Sequence, residues 1–217
     1  MDELYSILQA ATHEERENLA ALTGSAFGSA PETLCNHPKF LRAGSIGQIF
    51  WNASWKQLVT DVADHVGIDW LATLDDHSWS DLPTADIEAA IVLQVFQDIF
   101  DTLSPQQRQE LLMSMERDID DPDLATLIGS GGAMTAAKLS GFGVYFLAST
   151  TLGSLTSALG ITLPFAVYMG MSQTIALILG PIGWTALGGG LLWAINQPNW
   201  HRLVLAVIFI IALRYPR

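Results

Sequence analysis

No charged side chain occurs between Lys138 and Arg202, a run of 63 residues. No acid occurs after Asp123, so the last 94 residues hold none of the 22 Asp and Glu. Charged residues make up 15% of the chain, against about 25% in ordinary soluble domains. A stretch this poor in ionisable groups is unsuited to a wetted surface and suits hydrocarbon or deep burial. Cysteine is scarce as well, and the single Cys35 excludes an intramolecular disulfide framework. The opening Met1-Asp2-Glu3 lacks the basic and apolar regions of a secretory signal, so no cleaved signal peptide is expected. Asn-Gly turns between alternating strands are missing, which leaves no β-hairpin to argue for.

What is present is unevenly charged. Residues 1–137 carry 22 acids and six bases, a net of −16, while residues 138–217 carry four bases and no acid. An acidic head is repelled by nucleic acid, so no nucleic-acid partner is expected. The bases of the tail flank apolar stretches, where membrane-adjacent bases usually sit.

The head has helical periodicity. Leu4, Ile7 and Leu8 fall on one face of a helix over 3–11. Thr12-His13-Glu14-Glu15 has the form of a capping box, and the helix it opens should end near Gly24. Residues 23–37 are rich in Gly, Ser and Pro and are expected to be a loop. Ser45-Ile46-Gly47-Gln48 looks like a second capping box, opening a helix that carries Leu58, Val59, Val62 and Val66 and ends at Gly67. Residues 75–83 are expected to form a polar turn. A helix over 84–102 places Ile87, Ile91, Val95 and Ile99 four apart. Ser104-Pro105-Gln106-Gln107 is a further start signal, and Asp121-Pro122 repeats it more weakly. The head is thus a bundle of roughly five helices with its own core.

Gly129-Ser130-Gly131-Gly132 marks the expected boundary. Two apolar spans follow, about 142–163 and 165–195, each as long as the roughly 20 residues a bilayer core requires. Pro164 is placed at the tip of the hairpin between them. Gly180, Pro181 and Gly183 should break the second span, as Gly131 and Gly132 should provide a hinge. The residues expected to meet lipid are Phe142, Leu147, Leu152, Leu155, Leu159, Pro164, Phe165, Ile175, Leu179, Trp184 and Leu192. Lys138, Trp193, Trp200 and Arg202 are the expected interface anchors, although a core role suits the tryptophans equally. Leu203–Leu213 spans about 16 Å at 1.5 Å per residue, too short to cross unaided, and is expected to be a buried or interfacial helix. Small residues recur at every fourth position in rows such as Ser149, Gly153 and Ser157, which favours close helix pairing and a homo-oligomer.

Three arrangements accommodate the uncharged run: a permanent membrane hairpin, a hairpin held inside a soluble bundle until triggered, or a permanent core. The second resembles the pore-forming colicins in physical pattern, without matched residues, and suggests an acid trigger acting through the head carboxylates. The glycine-rich stretch ending at Lys138 lacks the Gly-Lys-Ser/Thr of a phosphate loop. Asp61, Asp64, His65 and Asp69, and likewise Asp75, Asp76 and His77, have no established convergence for a metal. Cys35 and His37 lack a third partner for a nucleophile. No enzyme activity, cofactor or metal is therefore expected.

The Leu-rich N-terminal helix pair, the segment from His37-Pro38 to Trp70, and the pattern Gly180-Pro181-Ile182-Gly183 … Arg202 … Leu213-Arg214 resemble the YaaW-like family of uncharacterised bacterial proteins. The resemblance implies a mostly helical bacterial protein. Some members are linked to a domain similar to a ubiquinol–cytochrome c assembly chaperone, which implies an assembly or interaction role. No functional residue is carried over from it.

The expected fold is all-α: an acidic helical head over 1–128, a glycine-rich hinge over 129–141, and a hydrophobic helical hairpin with a short C-terminal apolar helix over 142–217. The expected function is that of a membrane-associated helical protein, hairpin-inserting or pore-forming, with the lipid bilayer as partner. The alternative is a soluble assembly or chaperone-like protein with an apolar core, whose acidic head docks a protein client. The expected location is the bacterial inner membrane, or the cytoplasm with membrane association.

Overall fold

The computed structural model describes residues 3–25, 28–50, 53–68, 82–118, 141–158 and 200–215. Among these residues there are eight helices and no strand, so the chain is all-α. The helices are α1 (Glu3–Ala10), α2 (His13–Thr23), α3 (Pro31–Phe50), α4 (Trp55–His65), α5 (Thr84–Thr102), α6 (Pro105–Asp118), α7 (Gly141–Ala158) and α8 (Trp200–Arg214). Six of them precede residue 119, one more than the sequence suggests.

Local chemistry explains most helix ends. At the start of α2 the Thr12 hydroxyl accepts the Glu15 N–H at 3.2 Å, and the Glu15 carboxylate accepts the Thr12 N–H at 2.8 Å. This reciprocal pair satisfies two otherwise orphaned donors. At the other end Gly24 takes φ +70°. Its N–H bonds to the Ala21 carbonyl at 3.2 Å, and the Ser25 N–H to the Ala20 carbonyl at 2.8 Å, the double bond of a Schellman stop. Arg16 reaches back from α2 to the Leu8 and Ala11 carbonyls, closing the end of α1. Ser104 and Gln107 cap α6 reciprocally, at 3.0 and 3.3 Å, with Pro105 at its first position.

Two expectations about local structure are corrected. The loop expected over 23–37 ends at Pro31, where α3 begins. Proline is well placed there, because the first turn has no intrahelical partner for its missing N–H. Pro38 lies inside the same helix, which is why the composition suggested a loop. The second correction concerns Ser45. Residues 45–48 lie within α3, and the capping box belongs to Ser54 and Gln57, nine residues on. Gln57 Oε1 accepts the Ser54 N–H at 2.8 Å, and the Ser54 hydroxyl accepts the Gln57 N–H at 3.3 Å. Both serines have a glutamine three residues later, and the pattern alone does not discriminate between them. The Gly67 stop of α4 is as expected, with φ +82°, the Gly67 N–H bonding to the Asp64 carbonyl at 3.2 Å and the Ile68 N–H to the Ala63 carbonyl at 3.1 Å.

The apolar faces meet in one continuous cluster that includes Leu4, Leu19, Leu34, Leu58, Ile91, Phe146 and Ile208. Helices from both sides of the glycine-rich stretch contribute to it. Helix α8 packs on α7 above all, and also on α1, α2, α3, α4 and α5; α5 packs on α4 and α7. Every residue from Leu203 to Ile211 is at most 3% exposed. Of the two readings for this helix, the structure shows the buried one. A helix apolar on every side needs neighbours on every side.

Helix α7 is described as far as Ala158, and residues 159–163 of the expected first span lie outside the described residues. Among the described residues no helix is long and apolar enough to cross a membrane. The second span, the Asp121-Pro122 start and nearly all of the hinge and turn lie outside the described residues, whereas the row Ser149, Gly153 and Ser157 lies on α7.

Two substitutions test this packing by denaturant unfolding. Ile208→Ala should cost about 2–5 kcal/mol, the range for deleting a fully buried aliphatic side chain. Ser54→Ala should cost about 1 kcal/mol, the usual loss of an N-cap.

Candidate functional site

Helix α8 is apolar along its length and polar at its two ends, and both ends are held by clusters from the acidic head. At the C-terminal end the centre is Glu88, on α5, which is fully buried. The Trp55 indole N–H donates to one of its carboxyl oxygens. The other oxygen lies 3.2 Å from Arg214 Nε and 3.5 Å from the Tyr215 hydroxyl. Arg214 also pairs with Glu3 on α1, which is 44% exposed. Four helices, α1, α4, α5 and α8, are therefore tied through one guanidinium and one buried carboxyl. Nothing in the spacing of Glu3, Trp55, Glu88 and Arg214 announces this. The available signal was an acid at the inward position next to Ile87, in a helix otherwise apolar on that side.

Burial pushes the Glu88 carboxyl up from 4.5 to about 7, against the lowering effects of Trp55, Arg214 and Tyr215. The Tyr215 phenol is pushed up to about 12, first by burial and then by the Glu88 charge. The fold thus favours the neutral carboxyl of Glu88. Its contribution to stability is full below about 4.5, the unfolded value, and is lost as the pH rises through about 7. At about 1.4 kcal/mol per pH unit the gap is worth about 3 kcal/mol. A trigger that released α8 on acidification would require the opposite sign, so it does not act through Glu88.

At the N-terminal end Trp200 stacks on His65 of α4, with ring centroids 3.9 Å apart and planes 7° from parallel. The Arg42 guanidinium, from α3, lies 4.9 Å from the Trp200 ring centroid. Arg42 also pairs with Asp61 at 3.3 Å. Burial pushes the Asp61 carboxyl up, and Arg42 opposes that shift. Two residues on, Arg202 donates to the Thr23 carbonyl at 3.4 Å, which also takes His37 Nε2 at 3.1 Å. The guanidinium lies against Gly24, so closely that a Cβ there would collide with it. Glycine is required at this position both for its backbone angle and for this approach.

The residues singled out from sequence are placed as follows. Leu147, Leu152 and Leu155 lie on α7, each at most 3% exposed, inside the common core. Phe142 lies in the first turn of α7. Trp200 and Arg202 form the contacts above. Lys138, Gly131, Gly132, Leu159, Pro164, Phe165, Ile175, Leu179, Gly180, Pro181, Gly183, Trp184, Leu192 and Trp193 lie outside the described residues.

Of the residues considered for metal binding, those described do not converge. Asp61 faces Arg42, His65 faces Trp200, Asp64 is exposed, and Asp69, Asp75, Asp76 and His77 lie outside the described residues. Among the described residues no group of three His, Cys, Asp or Glu could hold a metal ion. Cys35 is buried on α3, and His37 is bonded to the Thr23 carbonyl.

Comparison with family models, curated proteins and solved structures yields no match to this chain.

Arg214→Gln should destabilise the fold by about 3–5 kcal/mol, the cost of stranding a buried charge. The loss should be larger at pH 8.5, where Glu88 is ionised, than at pH 5.5, where it is mostly neutral. Chemical unfolding at the two pH values measures this. Trp200→Leu, which keeps apolar bulk and removes the stack on His65, should cost about 0.5–1.5 kcal/mol by the same assay.

Proposed function

We propose that the chain is a membrane-associated helical protein, with the acidic bundle as its water-facing part and residues 159–199 as the part that meets the bilayer. One observation carries this reading. Ala158 ends α7 and Trp200 begins α8, and these two helices pack against each other in the core. The 41 residues between them contain no Asp, Glu, Lys or Arg. The two ends of this uncharged segment are therefore attached to a pair of adjoining helices. At about 20 residues per crossing its length allows an out-and-back passage through a bilayer core. The buried α7 and α8 then act as the fixed base of the hairpin, and membrane contact begins later in the sequence than the composition suggests.

A second reading, an assembly protein whose head docks a client, draws on α6. Of that helix Leu111 is fully buried, while Met113 is 48% exposed, the largest exposure of any bulky apolar side chain among the described residues. Exposed methionine suits adaptable protein contacts.

Flotation of the full chain with anionic liposomes, at pH 7 and pH 5, tests the first reading. The protein should float at both pH values, and Leu179→Asp should abolish flotation without unfolding the bundle, as read by circular dichroism. A chain that stays monodisperse without detergent and remains at the bottom of the gradient under both conditions rules the reading out. Recovery of a stoichiometric client, lost in Met113→Asp, would then favour the second.

A further inference from the structure

The Glu88 cluster holds more negative charge than its cation offsets. Two carboxylates, Glu3 and Glu88, face Arg214. Glu3 is 44% exposed, whereas Glu88 is fully buried. With both ionised, one guanidinium serves two anions, one of them in a dry interface, where an unbalanced charge is expensive. The groups around Glu88 come from every side. Helix α1 supplies Glu3, α4 the Trp55 N–H, and α8 Arg214 and Tyr215. Its own helix adds Asp86 near Tyr215. Helix α7, which packs on α5, has no charged residue, and Tyr145 is its one titratable side chain.

We propose that Glu88 is a proton-operated latch for the C-terminal end of α8. In its neutral form the carboxyl keeps Tyr215 docked against α5 and leaves Arg214 to Glu3 of α1; ionisation loosens that docking. The neutral carboxyl still accepts the Trp55 N–H. Its own proton finds an acceptor in the Tyr215 hydroxyl oxygen, 3.5 Å away, with the direction of that bond reversed. Arg214 is then left to Glu3 alone, which removes the competition between the two acids. When the carboxyl loses its proton, water becomes the better environment for it, and water reaches it most directly if the last turn of α8 lifts. Burial acts in the same direction, raising the Glu88 carboxyl towards neutrality, so the latch would operate near neutral pH. It tightens with acid, opposite to a colicin-like trigger, and is independent of the membrane reading.

Amide exchange over residues 208–215, measured on the full chain without lipid and corrected for intrinsic rates, tests the latch. Protection in the wild type should fall on the order of tenfold or more between pH 5.5 and 8.5, with an inflection between pH 6 and 8. Glu88→Gln, which fixes the neutral form, should remove the inflection and retain protection at pH 8.5. Parallel pH profiles in the two proteins overturn the proposal. If Glu88→Gln does not fold, the wild-type profile decides, since one without an inflection between pH 5 and 9 overturns it equally. Because vesicles are absent throughout, failure here leaves the flotation result standing, and the reverse also holds.

Discussion

A helix with nine successive buried residues can be accommodated in water only if other helices surround it, and α8 imposes that requirement on the whole bundle. From Leu203 to Ile211 there is no face to turn outward. Five of the acidic-head helices and α7 therefore each present an apolar stripe to it. The ordinary amphipathic pattern of those helices then follows. Leu4 and Leu8, Leu19 and Leu22, Leu58 and Val62, and Ile87 through Ile99 are the inward stripes of helices whose other faces are acidic and wetted. Helices α7 and α8 and the helices of the acidic head form one core, with the head helices packed around α8.

The ends of α8 are where burial meets polarity, and the chain resolves the conflict with side chains from distant sequence. Arg202 and Arg214 each lie against head groups some 180 to 210 residues away, the Thr23 carbonyl and Glu3. Elsewhere Arg16 and Arg108 close the helices that precede them, through carbonyls of Ala11 and Leu103. In a head with 22 acids and six bases, these arginines are occupied at structural joints. The surface that remains is strongly acidic, which opposes approach to anionic lipid and to nucleic acid alike.

Much of the local structure was legible in the sequence because it depends on neighbours three or four residues apart. The Thr12 box, the Gly24 and Gly67 stops, the limits of α5 and the Pro105 start are of this kind. Where local signals were ambiguous, the reading failed. Ser45 and Ser54 both precede a glutamine by three, and proline at 31 and 38 looked like a loop although the first suits a helix start. The two clusters at the ends of α8 were hidden for a different reason. Trp200 was a plausible interface anchor by type, and its stack on His65 joins residues 135 apart that no short motif connects.

The sequence by itself determined the class and the contrast: all helices, an acidic part and an uncharged part. Composition and helical period act locally and need no knowledge of what lies across the core. Tertiary structure alone decided that α8 packs against five head helices and α7, that Glu88 shares Arg214 with Glu3, and that Trp200 meets both His65 and Arg42. Those outcomes depend on which faces meet when helices pack. A buried carboxyl differs from a surface one only through the neighbours that exclude water from it, and the linear chain does not specify those neighbours.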